Sequence, residues 1–286
     1  MQKNKRIYFF YSPFTLITKI FWKLLLNSNF FQSFFTCSQS NLPSSIQTIL
    51  RLLDSNDAKF QIKRGTKGPD QKITLIMHAN LDKTTFFKIG NTNRGIELIK
   101  NEYSILKELE GKFNAPHIIN YYKKDEFLFM ETDYIAAPKV KSTAINECIS
   151  KYILSIASYK LNSNETYIKS FNHGDCCPWN LLYLEHNKVL LIDWELAGEN
   201  ILGYDLFTFI FQPPFLLNPN KSNRSILEDN VIWIKIFFSH FQVDNWIDYL
   251  SIFINSKIES ENKKLNDSQL IKKYLQLQED LPNLEL

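Results

Sequence analysis

The sequence lacks the cysteine patterns and the leader signal that mark exported proteins. Only four of the 286 residues are cysteines, and none belongs to a CxxC pair, the spacing common in zinc and redox motifs. No stretch near the N-terminus resembles a cleavable signal that ends in small residues. We therefore expect a cytoplasmic protein, in a reducing environment that keeps cysteines as thiols.

A strong surplus of positive charge is also missing. The chain has 33 lysines and arginines against 30 aspartates and glutamates, and its basic residues are scattered rather than gathered on an arginine-rich helix. Proteins that bind nucleic acid usually carry a basic patch or stripe. This distribution argues against nucleic acid as the main partner.

The third absence is an uninterrupted apolar run. Residues 7–26 are rich in Phe, Ile and Leu, but one proline and two lysines interrupt them, and a spanning helix needs roughly 18 uncharged apolar residues. Within residues 16–25 the apolar positions recur at helical spacing, which predicts an amphipathic helix. We expect this helix to pack on the protein itself. An N-terminal segment, residues 7–36, that lies on a membrane surface is the less favoured alternative.

The chain is long enough for two folded lobes, each with its own core. Its hydrophobic fraction is 44% and its charged fraction 22%, which are ordinary values for a soluble globular protein, while the aromatic fraction of 14% is somewhat high. This composition excludes a chain that is disordered throughout.

Short strand-like runs occupy residues 60–64, 72–79 and 84–90, and the segments between them carry the Gly, Pro and Asn that turns require. This pattern predicts an antiparallel meander of three strands. Residues 94–111 follow with an apolar stripe at helical spacing and a glycine that ends the helix.

One carboxylate lies on the apolar stripe of this helix. Glu102 is four residues after Leu98 and three before Ile105, so it shares their face. A buried carboxylate is costly without a partner, and Lys88 in the preceding strand is the nearest candidate. Either side chain alone can extend to the surface, but the strand leads directly into the helix, which favours an internal pair.

A further strand at 126–135 turns polar after Met130, and the sequence beyond it is mainly helical. The change in composition marks a domain boundary. We predict an N-terminal extension over residues 1–50, a sheet-containing lobe over 51–134 and a helical lobe over 135–286.

Two short motifs carry the chemistry. The first is "HGDCCPWN", which places His173, Asp175 and Asn180 in one loop; the second is "LLIDWE", in which Asp193 ends an apolar run thirteen residues after Asn180. Each polar residue alone is more typical of a turn. In this order, they resemble the aminoglycoside phosphotransferase and choline kinase-like family of small-molecule kinases.

The resemblance covers roughly residues 60–215 and implies an α+β, two-lobed protein kinase-like fold. Such a fold has a small N-lobe, made of an antiparallel sheet with one helix, and a larger, mostly helical C-lobe. Asp175 would accept or orient the proton of the acceptor hydroxyl. Asn180 and Asp193 would supply the oxygen ligands that Mg²⁺ prefers, and ATP would be the phosphoryl donor.

The same resemblance assigns the nucleotide site, expected between the lobes. Lys88 would hold the phosphates of ATP and Glu102 would hold Lys88. Backbone groups of the connector from Thr132 to Tyr134 would hold the base. The loop that covers the nucleotide is usually rich in glycine, and here only two positions qualify. These are Gly65 and Gly68.

Three further residues have supporting roles by resemblance. His173 would brace the catalytic loop, and Asp205 in "GYDLFTF" would hold that loop or cap the helix that follows. Glu195 would either approach a second metal position or pair nearby. The neighbouring cysteines, Cys176 and Cys177, are interpreted as small packing residues.

The acceptor is less determined by the sequence. Few acidic residues accompany the second motif, which argues against a strongly cationic aminoglycoside and, less strongly, against choline. A sugar or an intermediate of envelope polysaccharide or lipid assembly fits the aromatic segment after Phe209. The alternative function is a non-catalytic kinase-like module that binds a nucleotide or a protein. The choice between ATP and GTP and the oligomeric state stay open.

Overall fold

The computed structural model divides the chain into two compact units. The first comprises Met1–Lys107 with Pro116–Ile135, and the second comprises Glu108–Ala115 with Ala136–Leu286. The residues that the structure describes are 7–8, 36–37, 44–53, 59–64, 70–79, 83–163, 166–185, 188–263 and 269–283. The helix predicted over 16–25 and the two loop glycines, Gly65 and Gly68, lie outside these residues.

The first unit is built on a sheet with helices. Its elements in chain order are β1 (Ile7–Tyr8), β2 (Thr36–Cys37), α1 (Ser44–Leu52), β3 (Lys59–Arg64), β4 (Ile73–Ala79), β5 (Lys83–Gly90), α2 (Asn93–Leu109), β6 (Ile118–Lys124) and β7 (Phe127–Asp133). The strands are hydrogen-bonded in the order β2-β1-β3-β4-β5-β7-β6. β1 runs parallel to β3, and the other neighbours are antiparallel.

The predicted meander is confirmed as β3, β4 and β5, and its alternation explains the core. Phe60, Leu75 and Phe87 fall on one face of the sheet, where they form a buried cluster with Ile46 and Leu50 of α1. Side chains at successive strand positions point to opposite faces. Lys88, next to Phe87 in β5, therefore points to the other face, and it is buried there as well.

The second unit is mainly helical. Its elements are α3 (Glu147–Ala157), β8 (Leu161–Asn162), β9 (Lys169–Asn172), β10 (Leu181–Tyr183), β11 (Val189–Leu191), β12 (Gly198–Ile201), α4 (Tyr204–Leu217), α5 (Asn223–Glu228), α6 (Val231–His240), α7 (Trp246–Lys263) and α8 (Gln269–Asp280), with short 3₁₀ turns at Pro178–Asn180, Trp194–Leu196 and Leu281–Asn283. β10 pairs with β11, and β9 lies between β8 and β12.

The apolar periodicity of residues 225–241 predicts one continuous helix, but the structure has two helices there. α5 ends at Glu228 and α6 begins at Val231. The amide of Asn230 donates a hydrogen bond of 2.7 Å to the carbonyl oxygen of Ile226. Asparagine side chains compete in this way with the backbone hydrogen bonds of a helix. The contact of Asn230 with Ile226 therefore separates the two helices, although the apolar pattern continues from one to the other.

No helix in the described part of the chain is both long and apolar enough to cross a membrane. The longest one there, α7, has 18 residues and a charged C-terminal half.

Candidate active site

A hairpin brings the two motifs together. β10 and β11 pair so that Leu181 lies opposite Leu191, and the N–H of Ile192 donates to the carbonyl oxygen of Asn180 at 2.9 Å. The residue after Ile192 is Asp193. The spacing of thirteen positions from Asn180 to Asp193 is therefore the length of one hairpin, which brings Asp193 back beside Asn180.

Both oxygens of the Asp175 carboxylate accept hydrogen bonds. Oδ2 accepts from the amide of Asn180 at 2.9 Å. Oδ1 accepts from the amide of Gln212 at 3.0 Å and from the thiol of Cys177 at 3.5 Å. These contacts hold the carboxylate in one orientation, while Asp175 itself stays half-buried. A half-buried, oriented carboxylate is suited to receive a proton from a bound hydroxyl.

The hydrogen bonds of Asn180 determine which way its amide faces. Its Nδ2 donates both to the backbone oxygen of Asp175, at 3.0 Å, and to the carboxylate of that residue. Oδ1 therefore points away from Asp175. No described residue donates a hydrogen bond to this oxygen, which leaves a hard acceptor of the kind that Mg²⁺ prefers.

Asp193 has a backbone conformation that few side chains tolerate. Its φ is 74° and its ψ is 55°, which is the left-handed region. Asp and Asn adopt this region more readily than other non-glycine residues. The carboxylate is half-buried. A strained conformation of this type at the end of an apolar strand is typical of functional sites.

His173 links the two motifs and has a defined tautomer. Its Nε2 lies 3.1 Å from the carbonyl oxygen of Ile192, and its Nδ1 lies 3.3 Å from the N–H of Asp175. A carbonyl only accepts and an N–H only donates, so the proton is on Nε2 and Nδ1 is the acceptor. The ring is fully buried and packs edge-on against Trp194. With both nitrogens occupied, the side chain braces the loop.

Asp205 holds the same loop from α4. Its Oδ2 accepts from the N–H of His173 at 2.6 Å, and its Oδ1 accepts from the N–H of Gly174 at 3.0 Å. Burial raises the pKa of the Asp205 carboxyl, and the interactions with His173 and Gly174 oppose this effect. α4 is capped by Gly203 without a side-chain hydrogen bond. Of the two roles expected for Asp205, the structure therefore contains the loop contact.

The loop that contains His173 and Asp175 can pack closely against the backbone of Leu196 because residue 174 is glycine. Its φ is 86°, and a Cβ placed there would overlap the carbonyl oxygen of Leu196. Both the backbone conformation and the lack of space exclude a larger residue. The "HGD" sequence is therefore a packing requirement as well as a chemical motif.

Cys176 and Cys177 are both completely buried. Burial raises the pKa of each thiol well above its usual value. A protonated, buried thiol is a poor nucleophile and a poor metal ligand. The structure agrees with the interpretation of both as packing residues.

The predicted pair of Lys88 and Glu102 is present in the first unit. The Nζ of Lys88 lies 2.8 Å and 2.6 Å from the two carboxylate oxygens of Glu102, and side-chain exposure is 8% for Lys88 and 3% for Glu102. Such a buried, two-point contact fixes the position of the ammonium group. Strand alternation in β5 and the apolar face of α2 create the contact.

Three other predicted residues are placed but have no tested role. Thr132 is buried near the end of β7, and Tyr134 follows the strand and is 42% exposed. Glu195 is half-buried in the 3₁₀ turn directly after Asp193. Their roles in binding the base or a second metal stay predictions.

Sequence reasoning missed two residues that join this site. Gln212 of α4 contacts Asp175, and Lys257 of α7 contacts Gln212. The periodicity of residues 243–258 predicts a helix whose charged residues lie on a solvated face. This is wrong for Lys257, which is 5% exposed. It lies four residues after the buried Phe253, so the same spacing argument that identified Glu102 would have found it.

Comparisons with known proteins give a consistent result. Residues 165–220 match the sequence profile described as "Phosphotransferase enzyme family". This segment contains the "HGDCCPWN" motif, the strand that ends before Asp193, and the whole of α4. A search of curated proteins found no match.

Solved structures resemble the whole fold at low sequence identity. An aminoglycoside-3'-phosphotransferase of type VIII superposes with a TM-score of 0.56 and 12% identity, over 81% of this chain and 100% of that chain. A choline kinase from Streptococcus pneumoniae gives 0.53 and 14%, over 84% and 100%. A thermostable mutant of an aminoglycoside phosphotransferase, in a ternary complex with ADP and hygromycin B, gives 0.55 and 8%, over 85% and 100%.

These comparisons confirm the predicted α+β, two-lobed kinase-like fold. The prediction of an enzyme, a small-molecule kinase with a hydroxyl acceptor, is confirmed at the level of the family. Residues 165–220 thus resemble the phosphotransferase enzyme family in sequence, and the fold of the chain resembles that of aminoglycoside phosphotransferases and choline kinases, as the motifs predicted.

Proposed function

We propose that this protein is an ATP- and Mg²⁺-dependent phosphotransferase that phosphorylates a hydroxyl group of a small molecule. The observation that carries the proposal is the contact between Asn180 and Asp175. It orients the carboxylate that would receive the hydroxyl proton, and it turns Asn180 Oδ1 away from Asp175, where this oxygen would serve as a metal ligand. One amide thus serves both parts of the chemistry.

The residues present fit a magnesium ion. Asn180 offers an amide oxygen to which no described residue donates, and Asp193 offers a carboxylate held at the end of β11 by the hairpin. Both ligands are hard oxygens, the type that Mg²⁺ selects. When bound, Mg²⁺ would supply positive charge that neutralises the phosphate groups of the nucleotide. Glu195 is the candidate for a second metal position.

The nucleotide would be held by residues of the first unit. Lys88, oriented by Glu102, offers a buried ammonium group for the phosphates. The backbone near Thr132 and Tyr134 would hold the base. A structure similar to this one was solved with ADP, which supports nucleotide use.

Asp175 would position the acceptor hydroxyl and take up its proton. Phosphoryl transfer depends chiefly on orientation and on the neutralisation of charge. In this chain the orientation of Asp175 is achieved by amide and thiol donors alone among the described residues, and His173 and Asp205 hold the backbone on which it sits. Rigid support of this kind keeps the reacting groups at the distances and angles that the reaction requires.

For the acceptor we propose an uncharged or anionic hydroxyl compound, such as a sugar or an intermediate of envelope polysaccharide or lipid assembly. The aromatic residues that first suggested a sugar are no support, because Phe211 and Phe215 of α4 are buried in the core. The stronger support is electrostatic. The buried cation of Lys257 interacts with Asp175 and offsets part of its negative charge, so the attraction of Asp175 for a cationic acceptor is weaker than that of an uncompensated carboxylate.

The first test is thermal stability in the presence of ATP and Mg²⁺. At a ligand concentration about 100 times Kd, binding stabilises the native state by about 2.7 kcal/mol, which raises Tm by about 5 °C. We expect this rise for the wild type and its loss in Asp193→Asn. The asparagine variant is the informative one, because it keeps the left-handed backbone preference and removes only the charge.

Two further arms complete this test. Asp193→Ala removes the ligand and adds backbone strain, so its own Tm is expected to fall below that of Asp193→Asn. ATP with a chelator in place of Mg²⁺ should give a smaller rise than ATP with Mg²⁺. A wild type that shows no rise with ATP and Mg²⁺ would reject the proposal in favour of a module that binds a protein partner.

The acceptor class is tested by the same assay with candidate acceptors. Neutral sugars and a sugar phosphate are expected to raise Tm further in the presence of an unreactive ATP analogue and Mg²⁺, whereas kanamycin and choline should not. Protection by an amino alcohol without protection by sugars would contradict this assignment. Repeating the assay in 0.5 M salt separates specific binding from general attraction between charges.

A further inference from the structure

A buried lysine lies behind the carboxylate of Asp175. The Nζ of Lys257 is 3.3 Å from Oε1 of Gln212 and 4.6 Å from the centre of the Tyr204 ring. No described carboxylate lies within salt-bridge distance of it. A buried lysine without a carboxylate partner is unusual, because removing an ammonium group from water costs free energy unless neighbouring groups compensate its charge.

The ammonium group stays charged despite its burial. Burial by itself lowers the pKa of Lys257, but interactions with Tyr204, Asp175 and Cys177 outweigh it, so the pKa is raised above its usual value. The ring of Tyr204 also offers its face to the cation. Lys257 is therefore a fixed positive charge within this unit.

Gln212 connects this charge to Asp175. Its Nε2 donates to Oδ1 of Asp175 at 3.0 Å, and its Oε1 accepts from Lys257. An ammonium group can only donate, so the amide oxygen must face Lys257 and the NH₂ group must face Asp175. The lysine and the carboxylate thus require the same orientation of the glutamine, and the contact with Lys257 holds the amide in that orientation from its other end.

Helical spacing places these groups together. Tyr204 and Gln212 are eight residues apart on α4, on one face of the helix, and Lys257 of α7 reaches both. The packing of α4 against α7 thus sets the distance from the charge to Asp175.

We propose that Lys257 is a positioning residue for Asp175 and acts through the carboxamide of Gln212. With Oδ2 held by Asn180 and Oδ1 held by Gln212, the plane of the carboxylate is fixed, and the remaining lone pairs can meet only a hydroxyl that approaches from one direction. The effect on catalysis rests on the proposed function. The orientation of Gln212 by Lys257 does not.

The orientation is tested without any activity, by NMR of the Gln212 side-chain amide in ¹⁵N-labelled protein. Gln212→Leu identifies the signals by their loss. In Lys257→Met, which keeps the length of the side chain and removes the charge, we expect these signals to shift and their hydrogen exchange to accelerate about tenfold or more, because a charge-assisted hydrogen bond is lost. Lys151→Met is the matched control, since Lys151 is exposed and pairs only with Glu147 in this part of the structure; it should leave the signals unchanged.

A second measurement uses slow release of phosphate from ATP and Mg²⁺, with water as acceptor. Lys257→Met and Gln212→Leu should each lower kcat by about tenfold with little change in KM for ATP. The double variant should be no slower than either single variant, because both changes disrupt the same set of contacts from Lys257 through Gln212 to Asp175. Gln212→Glu keeps the contact with Lys257 but faces Asp175 with a like charge, so it should fold and also be slow. If Lys257→Met does not fold, Lys257→Gln, which keeps an NH₂ donor but removes the charge, replaces it in both measurements.

The outcomes separate the two proposals. Unchanged Gln212 signals in Lys257→Met, or kcat losses that add in the double variant, would overturn the positioning role. A wild type that releases no phosphate would count against the proposed function, while the NMR measurement would still decide whether Lys257 orients Gln212.

Discussion

Asp175→Asn is expected to lower the rate of phosphoryl transfer by a factor of about 10² to 10⁴, while the rise in Tm with ATP and Mg²⁺ is retained. The carboxylate would take up the hydroxyl proton, and an amide cannot. Binding is spared because the proposed metal ligands, Asn180 and Asp193, are intact. The measurement is phosphate transfer or release under saturating ATP, with the Tm shift in parallel.

The variant also changes hydrogen bonds, so its stability must be measured. In the wild type, Asn180 and Gln212 each donate to one oxygen of Asp175. The NH₂ group of an asparagine would face one of these donors, which we expect to cost about 1–3 kcal/mol of unfolding free energy. Asp229→Asn, which alters an exposed pair with Lys221, is the control for the loss of one negative charge. Full activity in Asp175→Asn would remove Asp175 from the reaction.

Asp205→Ala is expected to lower the unfolding free energy by about 3–5 kcal/mol, the range for breaking a buried charged contact. The change leaves the N–H groups of His173 and Gly174 without an acceptor inside the protein, and each unsatisfied group carries its full desolvation cost. Denaturation in urea, followed by circular dichroism, measures the difference. Asp229→Ala serves as the exposed control, for which the expected loss is below about 1 kcal/mol.

Asp205→Asn sharpens this prediction. Its amide keeps one acceptor oxygen, so it can satisfy either His173 or Gly174, and its NH₂ group must then face the other donor. We expect a loss smaller than that of Asp205→Ala. Equal stability of all three proteins would mean that the loop does not depend on Asp205, and that the hydrogen bonds at 2.6 Å and 3.0 Å contribute nothing.

The elements with regular periodicity could be predicted from the sequence. Alternation in residues 60–90 indicated three paired strands, and the stripe on α2 indicated a helix with Glu102 on its buried face. These signals are local, since each repeats within a few residues. β6, by contrast, has no fully buried residue, and its pattern is mainly intermediate and exposed. Such a strand has no clear alternation, and the sequence did not indicate it.

The site was partly predictable for the same reason. The spacing of Asp175, Asn180 and Asp193 can be recognised in the sequence, because the three residues lie within one loop and the hairpin that follows it. Gln212 and Lys257 are 37 and 45 residues from their partners, and their contacts depend on how α4 and α7 pack. Spacing within one helix can show that a lysine is buried, but it cannot show which group it meets.

The sequence by itself indicated the class of chemistry, because the order of Asp175, Asn180 and Asp193 resembles that of a known family of small-molecule kinases. It also determined that Gly174 and Asp193 could adopt left-handed backbone, because this property belongs to the residue type. Only the tertiary structure decided which way the amides of Asn180 and Gln212 face, and that Lys257 is linked to Asp175 through Gln212. Those facts follow from hydrogen bonds between distant segments, and such bonds exist only once the apolar faces of the helices have packed.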